Sequence, residues 1–167
     1  MRASWGTALI AAALAVAMAG CAAHRAADRR AYYSATVADE DAAAIRGTGP
    51  WFVWPWQDQL SSHIDKVDGR PRAPNAASPF RVNPGERLLT VGGIFCCLSR
   101  GKADSGEVDL KTTLFPAHTY LIRIDFHDGA MTSWLEDEAT HEVVSERVST
   151  RTTKFDIHGS LNLPIFR

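Results

Sequence analysis

Residues 120–135 read Tyr120-Leu121-Ile122-Arg123-Ile124-Asp125-Phe126-His127-Asp128-Gly129-Ala130-Met131-Thr132-Ser133-Trp134-Leu135. Tyr120, Ile122, Ile124 and Phe126 form one row, and Leu121, Arg123 and Asp125 the other. Successive side chains of a strand point to opposite faces, so this alternation predicts a half-buried strand. Asp128-Gly129 then supplies two residues that tolerate the positive φ of a tight hairpin turn. Met131–Leu135 returns as a second strand, expected to pair with Glu142–Val148 around the polar segment Glu136–His141.

The same grammar extends in both directions. Val108, Leu110, Thr112 and Leu114 alternate with Asp109, Lys111 and Thr113, a second half-buried strand. Arg87–Ser99 is the longest strand candidate, and Gly92-Gly93 in its middle suggests a bulge or a bend. Arg100–Gly106 reads as a polar turn. His63–Val67 ends in Asp68-Gly69, another hairpin signal. Phe80–Val82 is a short strand closed by the turn Asn83-Pro84-Gly85-Glu86, with Pro and Gly at the central positions. Pro71, Pro74 and Pro79 make regular helix implausible between these strands. Asp39–Ala44 is expected to form one helical turn capped by Asp39. Lys154–Ile157 is expected as a final strand. Short strands at regular spacing with turns between them predict an all-β fold, a small antiparallel β-sandwich.

Of the 167 residues, 46% are hydrophobic and 22% charged, so a packed core is affordable. The net charge of −1 gives no electrostatic footprint for nucleic acid, and no such partner is expected. The 3 cysteines are Cys21, Cys96 and Cys97, an odd number that in an exported protein calls for a reason.

The N-terminal residues suggest one. Arg2 precedes an alanine-rich apolar run, Ala8–Ala19, of signal-peptide length, and Ala19-Gly20 stand before Cys21. The run is shorter than the roughly 20 residues of a membrane span. The segment resembles the lipobox of bacterial lipoproteins. That resemblance implies cleavage before Cys21, a diacylglycerol thioether on its sulfur, and usually an acyl (palmitate-type) chain on its amine. Several acyl chains would anchor the protein stably in the membrane. Ala22 and Ala23, with no Asp directly after the cysteine, imply the outer membrane. Residues 1–20 are therefore expected as a signal peptide and 21–37 as a lipidated cysteine with a flexible tether. A single β-sandwich domain is expected over 38–167. Without the signal peptide, 17 basic residues face 19 acidic ones.

A second resemblance lies inside the domain. Ile64-Asp65-Lys66-Val67-Asp68-Gly69 and Val82-Asn83-Pro84-Gly85-Glu86-Arg87-Leu88-Leu89-Thr90-Val91 look like the hairpin and turn-plus-strand motifs of PEGA-type domains of bacterial lipoproteins. Pro116-Ala117-His118-Thr119-Tyr120, Trp134-Leu135-Glu136-Asp137 and Val143-Val144 are similar to further motifs of that family, with His118 where a glycine is usual. The resemblance covers about residues 60–145. It implies an antiparallel sandwich with an envelope role, and its motifs mark turns rather than chemistry.

Candidate chemistry is sparse. Cys96 and Cys97 are neighbours on a strand, so their thiols are expected on opposite faces, as small and mostly buried residues. Trp51-Phe52-Val53-Trp54-Pro55-Trp56 concentrates three indoles in six residues. Exposed, it would recognise a sugar, a partner protein or a lipid interface; buried, it would plug one end of the sandwich. Trp51, Phe52, Trp54 and Trp56 are the candidate binding residues. Asp125-x-His127 could supply two zinc ligands, but no third is identifiable, so no metal and no cofactor are expected. His141-Glu142 lacks the second histidine of a zinc-protease helix. Glu136-Asp137-Glu138 reads as a solvated charge run. No nucleophile elbow, phosphate loop or dinucleotide fingerprint occurs, so no enzymatic activity is expected. The expected role is a periplasm-facing structural or protein-interaction module of the envelope, with an envelope protein or peptidoglycan as partner. The alternative is a ligand-binding lipoprotein that uses the Trp-rich loop for a peptidoglycan fragment or a small apolar molecule.

Overall fold

The computed structural model describes residues 32–49, 59–74, 76, 78–97 and 102–156. The chain divides into Met1–Tyr32 and a compact unit, Tyr33–Arg167, and every element below lies in the second. The described residues form ten strands and no helix: β1 (Ala43–Arg46), β2 (Gln59–Val67), β3 (Arg70–Pro71), β4 (Phe80–Val82), β5 (Gly85–Cys97), β6 (Lys102–Leu114), β7 (Thr119–His127), β8 (Ala130–Asp137), β9 (Val148–Arg151) and β10 (Thr153–Asp156). They make two five-stranded sheets, ordered β4-β1-β7-β8-β9 and β10-β6-β5-β2-β3. The fold is all-β, consistent with a small β-sandwich.

The alternation in the sequence becomes the core. Ile122 and Tyr120 of β7, Met131 and Leu135 of β8, Leu89 and Val91 of β5, and Leu110 and Leu114 of β6 are almost wholly buried between the sheets. Both Asp-Gly pairs make the expected hairpin turns. Asp68 and Gly69 have φ of 51° and 75°, and Asp128 and Gly129 have 48° and 74°. Two successive positive φ values define the turn whose twist matches paired strands.

Several expectations are corrected. Lys102–Gly106 is strand, not turn: β6 pairs with β5 without a break from Gly85↔Leu114 to Cys97↔Lys102. The polar residues Lys102–Ser105 are held between β5 and β10, and backbone pairing on both sides makes them strand. Gly92-Gly93 carry no bulge against β6; the register shift lies on β2, between Ile64 and Lys66. The glycines serve close packing instead: a Cβ on Gly93 would stand 2.5 Å from Met131 Sδ, and one on Gly106 3.0 Å from Met131 Cβ. Gly93 and Gly106 face each other across β5 and β6, so together they seat Met131 of the opposite sheet.

At the N-terminal side, Ala38–Ala42 closes one turn through a 3.0 Å bond from Ala42 N–H to Ala38 O, but Ala43 and Ala44 are strand. Their small side chains fit where β1 lies between β4 and β7, and the β1–β7 pair is parallel while the other described strand pairs are antiparallel. The expected tether also ends early. Tyr33 is buried, its N–H donates to Pro71 O, and its hydroxyl accepts from Asn83 N–H. Thr36 N–H donates to Asn83 Oδ1.

The expected Glu142–Val148 strand is displaced along the chain, because β9 begins only at Val148 and pairs with Ala130–Ser133. From the expected stretch, Val143 makes an isolated bridge to Glu136 and Val144 N–H donates to Leu135 O. Between Val144 and β9 the chain crosses to the other sheet, where Ser145 bridges Thr112 and Thr112 Oγ1 donates to Val144 O. After β9 the chain crosses again at Thr152, and β10 pairs with β6.

Candidate functional site

Cys21, Trp51, Phe52, Trp54 and Trp56 lie outside the described residues. The structure does define the base from which the aromatic segment departs. The chain leaves at Gly49, after β1 of one sheet, and is described again from Gln59, the start of β2 in the other. At that base Ser62 N–H donates to Thr48 O at 2.6 Å, and Thr48 N–H donates to Ser62 Oγ at 2.8 Å. Ser62 is buried. The described chain on the two sides of residues 50–58 is thus fastened to itself at Thr48 and Ser62.

Cys96 is half-buried on β5, between Gln59 of β2 and Ala103 of β6 in the register. The side chain of Cys97 lies outside the described residues. His127 pairs with its neighbour Asp128 at 3.1 Å, and both are largely exposed at the β7–β8 turn. Among the described residues, no group of three His, Cys, Asp or Glu side chains converges to hold a metal ion.

The run Glu136-Asp137-Glu138 is not a solvated turn. Each carboxylate takes a basic side chain from a different part of the fold as its partner. Glu136 receives Arg123 of β7 at 2.9 and 3.2 Å and His141 at 3.2 Å. Asp137 receives His118 Nδ1 at 2.6 Å. Glu138 receives Arg46 of β1 at 2.8 Å. The end of β8 is thereby tied to β7, to the β6–β7 turn and to β1.

Asp137 is the most constrained of the three, with its side chain 5% exposed. Its Oδ1 accepts the N–H groups of Ala139 and Thr140, and its Oδ2 faces His118. The His118 bond, together with those backbone bonds, holds its pKa down at about 2. The Arg123 bond, then that of His141, lowers that of Glu136. The His118 ring stacks on Tyr120, 6.1 Å between centroids, and lies 5.8 Å from Phe115. The Tyr120 hydroxyl accepts Phe115 N–H, and burial raises its pKa. The imidazole is thus held by Asp137 on its Nδ1 side and by the ring of Tyr120, with about half of the side chain exposed. The sequence held a signal for this cluster. Leu135 is inward, so Asp137, two residues on, must be inward too, and a buried carboxylate requires partners.

A polar groove of about 450 Å³ is lined by residues of β2, β5 and β6 together with residues around the β9–β10 crossing. His63, Gly92 and Glu107 stand in one cross-strand row. A Cβ on Gly92 would stand 2.5 Å from Asp65 Oδ2 and 2.8 Å from His63 Nε2, so the paired His63 and Asp65 side chains lean over the glycine. Ser105, Arg151 and Thr153 line the groove as well. Its carboxylates, hydroxyls and guanidinium could hydrogen-bond a hydroxyl-rich ligand.

A scan of family models finds no match to the chain, and searches of curated proteins and of solved structures find none either.

Proposed function

We propose that this chain is a lipid-anchored lipoprotein of the bacterial outer membrane, facing the periplasm, whose β-sandwich is a non-enzymatic interaction module of the envelope. The lipobox-like residues ending at Cys21 and the PEGA-like motifs over residues 60–145 support the setting. The observation that carries the interaction reading is the fastened base at Thr48 and Ser62. It holds together the ends of a segment with Trp51, Phe52, Trp54 and Trp56, which form the contact surface. Closing a loop at its base lowers the entropy lost when that loop is ordered on a partner.

The test is the triple variant Trp51→Ala/Trp54→Ala/Trp56→Ala in the full chain, assayed for co-sedimentation with purified peptidoglycan and for cross-linking to envelope proteins. Loss of a partner with unchanged thermal unfolding is the expected result. A folded variant that keeps every partner removes the contact surface from the proposal. Labelling with a fatty acid, present in wild type and absent in Cys21→Ala, tests the anchor separately.

The polar groove over Gly92 favours a second reading, a lipoprotein that holds a peptidoglycan fragment. Titration with soluble muropeptides, read by tryptophan fluorescence, separates the two: saturable change supports the ligand reading, and none counts against it.

A further inference from the structure

β10 is an edge strand. Among the described residues it has β6 on one side only, and its four residues, Thr153–Asp156, are all exposed. Phe155 is an exposed large apolar residue, 42% accessible. The register with β6 is charge-matched: Lys154 stands opposite Asp104, and Asp156 opposite Lys102. Both strands carry the same pattern, Lys-x-Asp, in Lys102-Ala103-Asp104 and Lys154-Phe155-Asp156. In antiparallel pairing a Lys-x-Asp strand is complementary to itself.

We propose that β10 pairs with β10 of a second copy of this chain, in a two-fold antiparallel arrangement centred on Phe155. Lys154 of each copy then faces Asp156 of the other, and the two Phe155 rings are directly opposite. The new ladder repeats, on the free side of β10, the charge register that β10 already makes with β6. Two five-stranded sheets become one continuous sheet through the dimer. Edge strands are commonly blunted against such pairing by charged side chains, lysine above all. The charges of β10 have opposite signs and sit where two-fold symmetry brings them together. The pairing stands on this edge alone and requires neither the lipid anchor nor the Trp-rich segment.

Disulfide trapping of the full-length protein tests the register. Wild type, Phe155→Cys and Thr153→Cys all keep the native cysteines, so wild type sets the background. Residue 155 faces itself across the two-fold axis, whereas the two copies of residue 153 lie four positions out of register. Mild oxidation of Phe155→Cys should therefore give several-fold more covalent dimer than Thr153→Cys or wild type. Equal yields from the three proteins overturn the proposal. Sedimentation velocity of the unmodified protein is the second measurement. A concentration-dependent dimer that is lost in Lys154→Glu is expected, and a wild type that stays monomeric at every concentration overturns the pairing whatever the cysteine variants do.

Discussion

Met131 Sδ occupies the space that a side chain on Gly93 would need, 2.5 Å from the position of its Cβ. Met131 is fully buried, so the contact is a lock between the two sheets rather than a surface touch. Gly93→Val should overpack the core and cost about 1–3 kcal/mol. Met131→Ala should leave a cavity and cost about 2–5 kcal/mol. Because each change relieves the other, the double variant should be more stable than the sum of the two losses predicts. Urea denaturation of the four proteins checks this, and strict additivity would show that Gly93 and Met131 do not share a space.

Acid should act through Asp137. Its carboxyl titrates at about 2 in the folded chain, well below the value of about 3.9 in an unfolded one. The folded state therefore holds the charged form more strongly. The stability this contributes is complete above the unfolded value and is lost as pH falls from about 4 toward about 2. Asp137→Asn should cost about 1–2 kcal/mol at pH 7, through the weakened bonds to His118 and to the backbone of residues 139 and 140. It should also flatten the loss of stability across that acid window. Urea midpoints measured in steps from pH 5 to pH 2 give the comparison, and parallel curves for the two proteins would remove Asp137 as the source.

Ser62 should matter more than a strand serine ordinarily does. It is buried, and its hydroxyl accepts the Thr48 N–H, which joins the described chain on either side of residues 50–58. Ser62→Ala leaves that N–H without its acceptor and should cost about 1–3 kcal/mol. It should also speed proteolytic nicking between Gly49 and Gln59 before the rest of the domain opens. Nicking at the wild-type rate would mean that the fastening does not restrain the segment.

Much of the sandwich was legible because apolar alternation and Asp-Gly turns are local signals. β7, its hairpin with β8, and the Val108–Leu114 half of β6 follow from side-chain spacing alone. β1 was not legible, because Ala43-Ala44 carries no strand propensity and becomes strand only through neighbours on both sides. The absence of a bulge at Gly92-Gly93 was not legible for a related reason. A glycine in a strand signals either a bulge or a close approach, and only the position of Met131 and His63 tells which. The ion partners of Glu136, Asp137 and Glu138 depended on strand order, which no local pattern encodes. The inward position of Asp137 was the one part open to reading. The binding residues named from sequence, Trp51 to Trp56, fall outside the described residues, so what the structure adds there is their fastened base.

The two sheets are joined along one side, covalently where β9 runs into β10 through Thr152 and by a backbone bridge between Ser145 and Thr112. The opposite side ends in β3 and β4, and there Tyr33 spans the gap, bonded to Pro71 on one sheet and to Asn83, directly after β4, on the other, with its ring against Phe80. The domain is built like a book, bound along a spine and shut by a clasp. Tyr33 is also the first residue of the compact unit. A pull applied at Tyr33 is delivered to the clasp before it reaches any strand in the middle of a sheet, so under tension the book opens at its fore-edge while the spine holds.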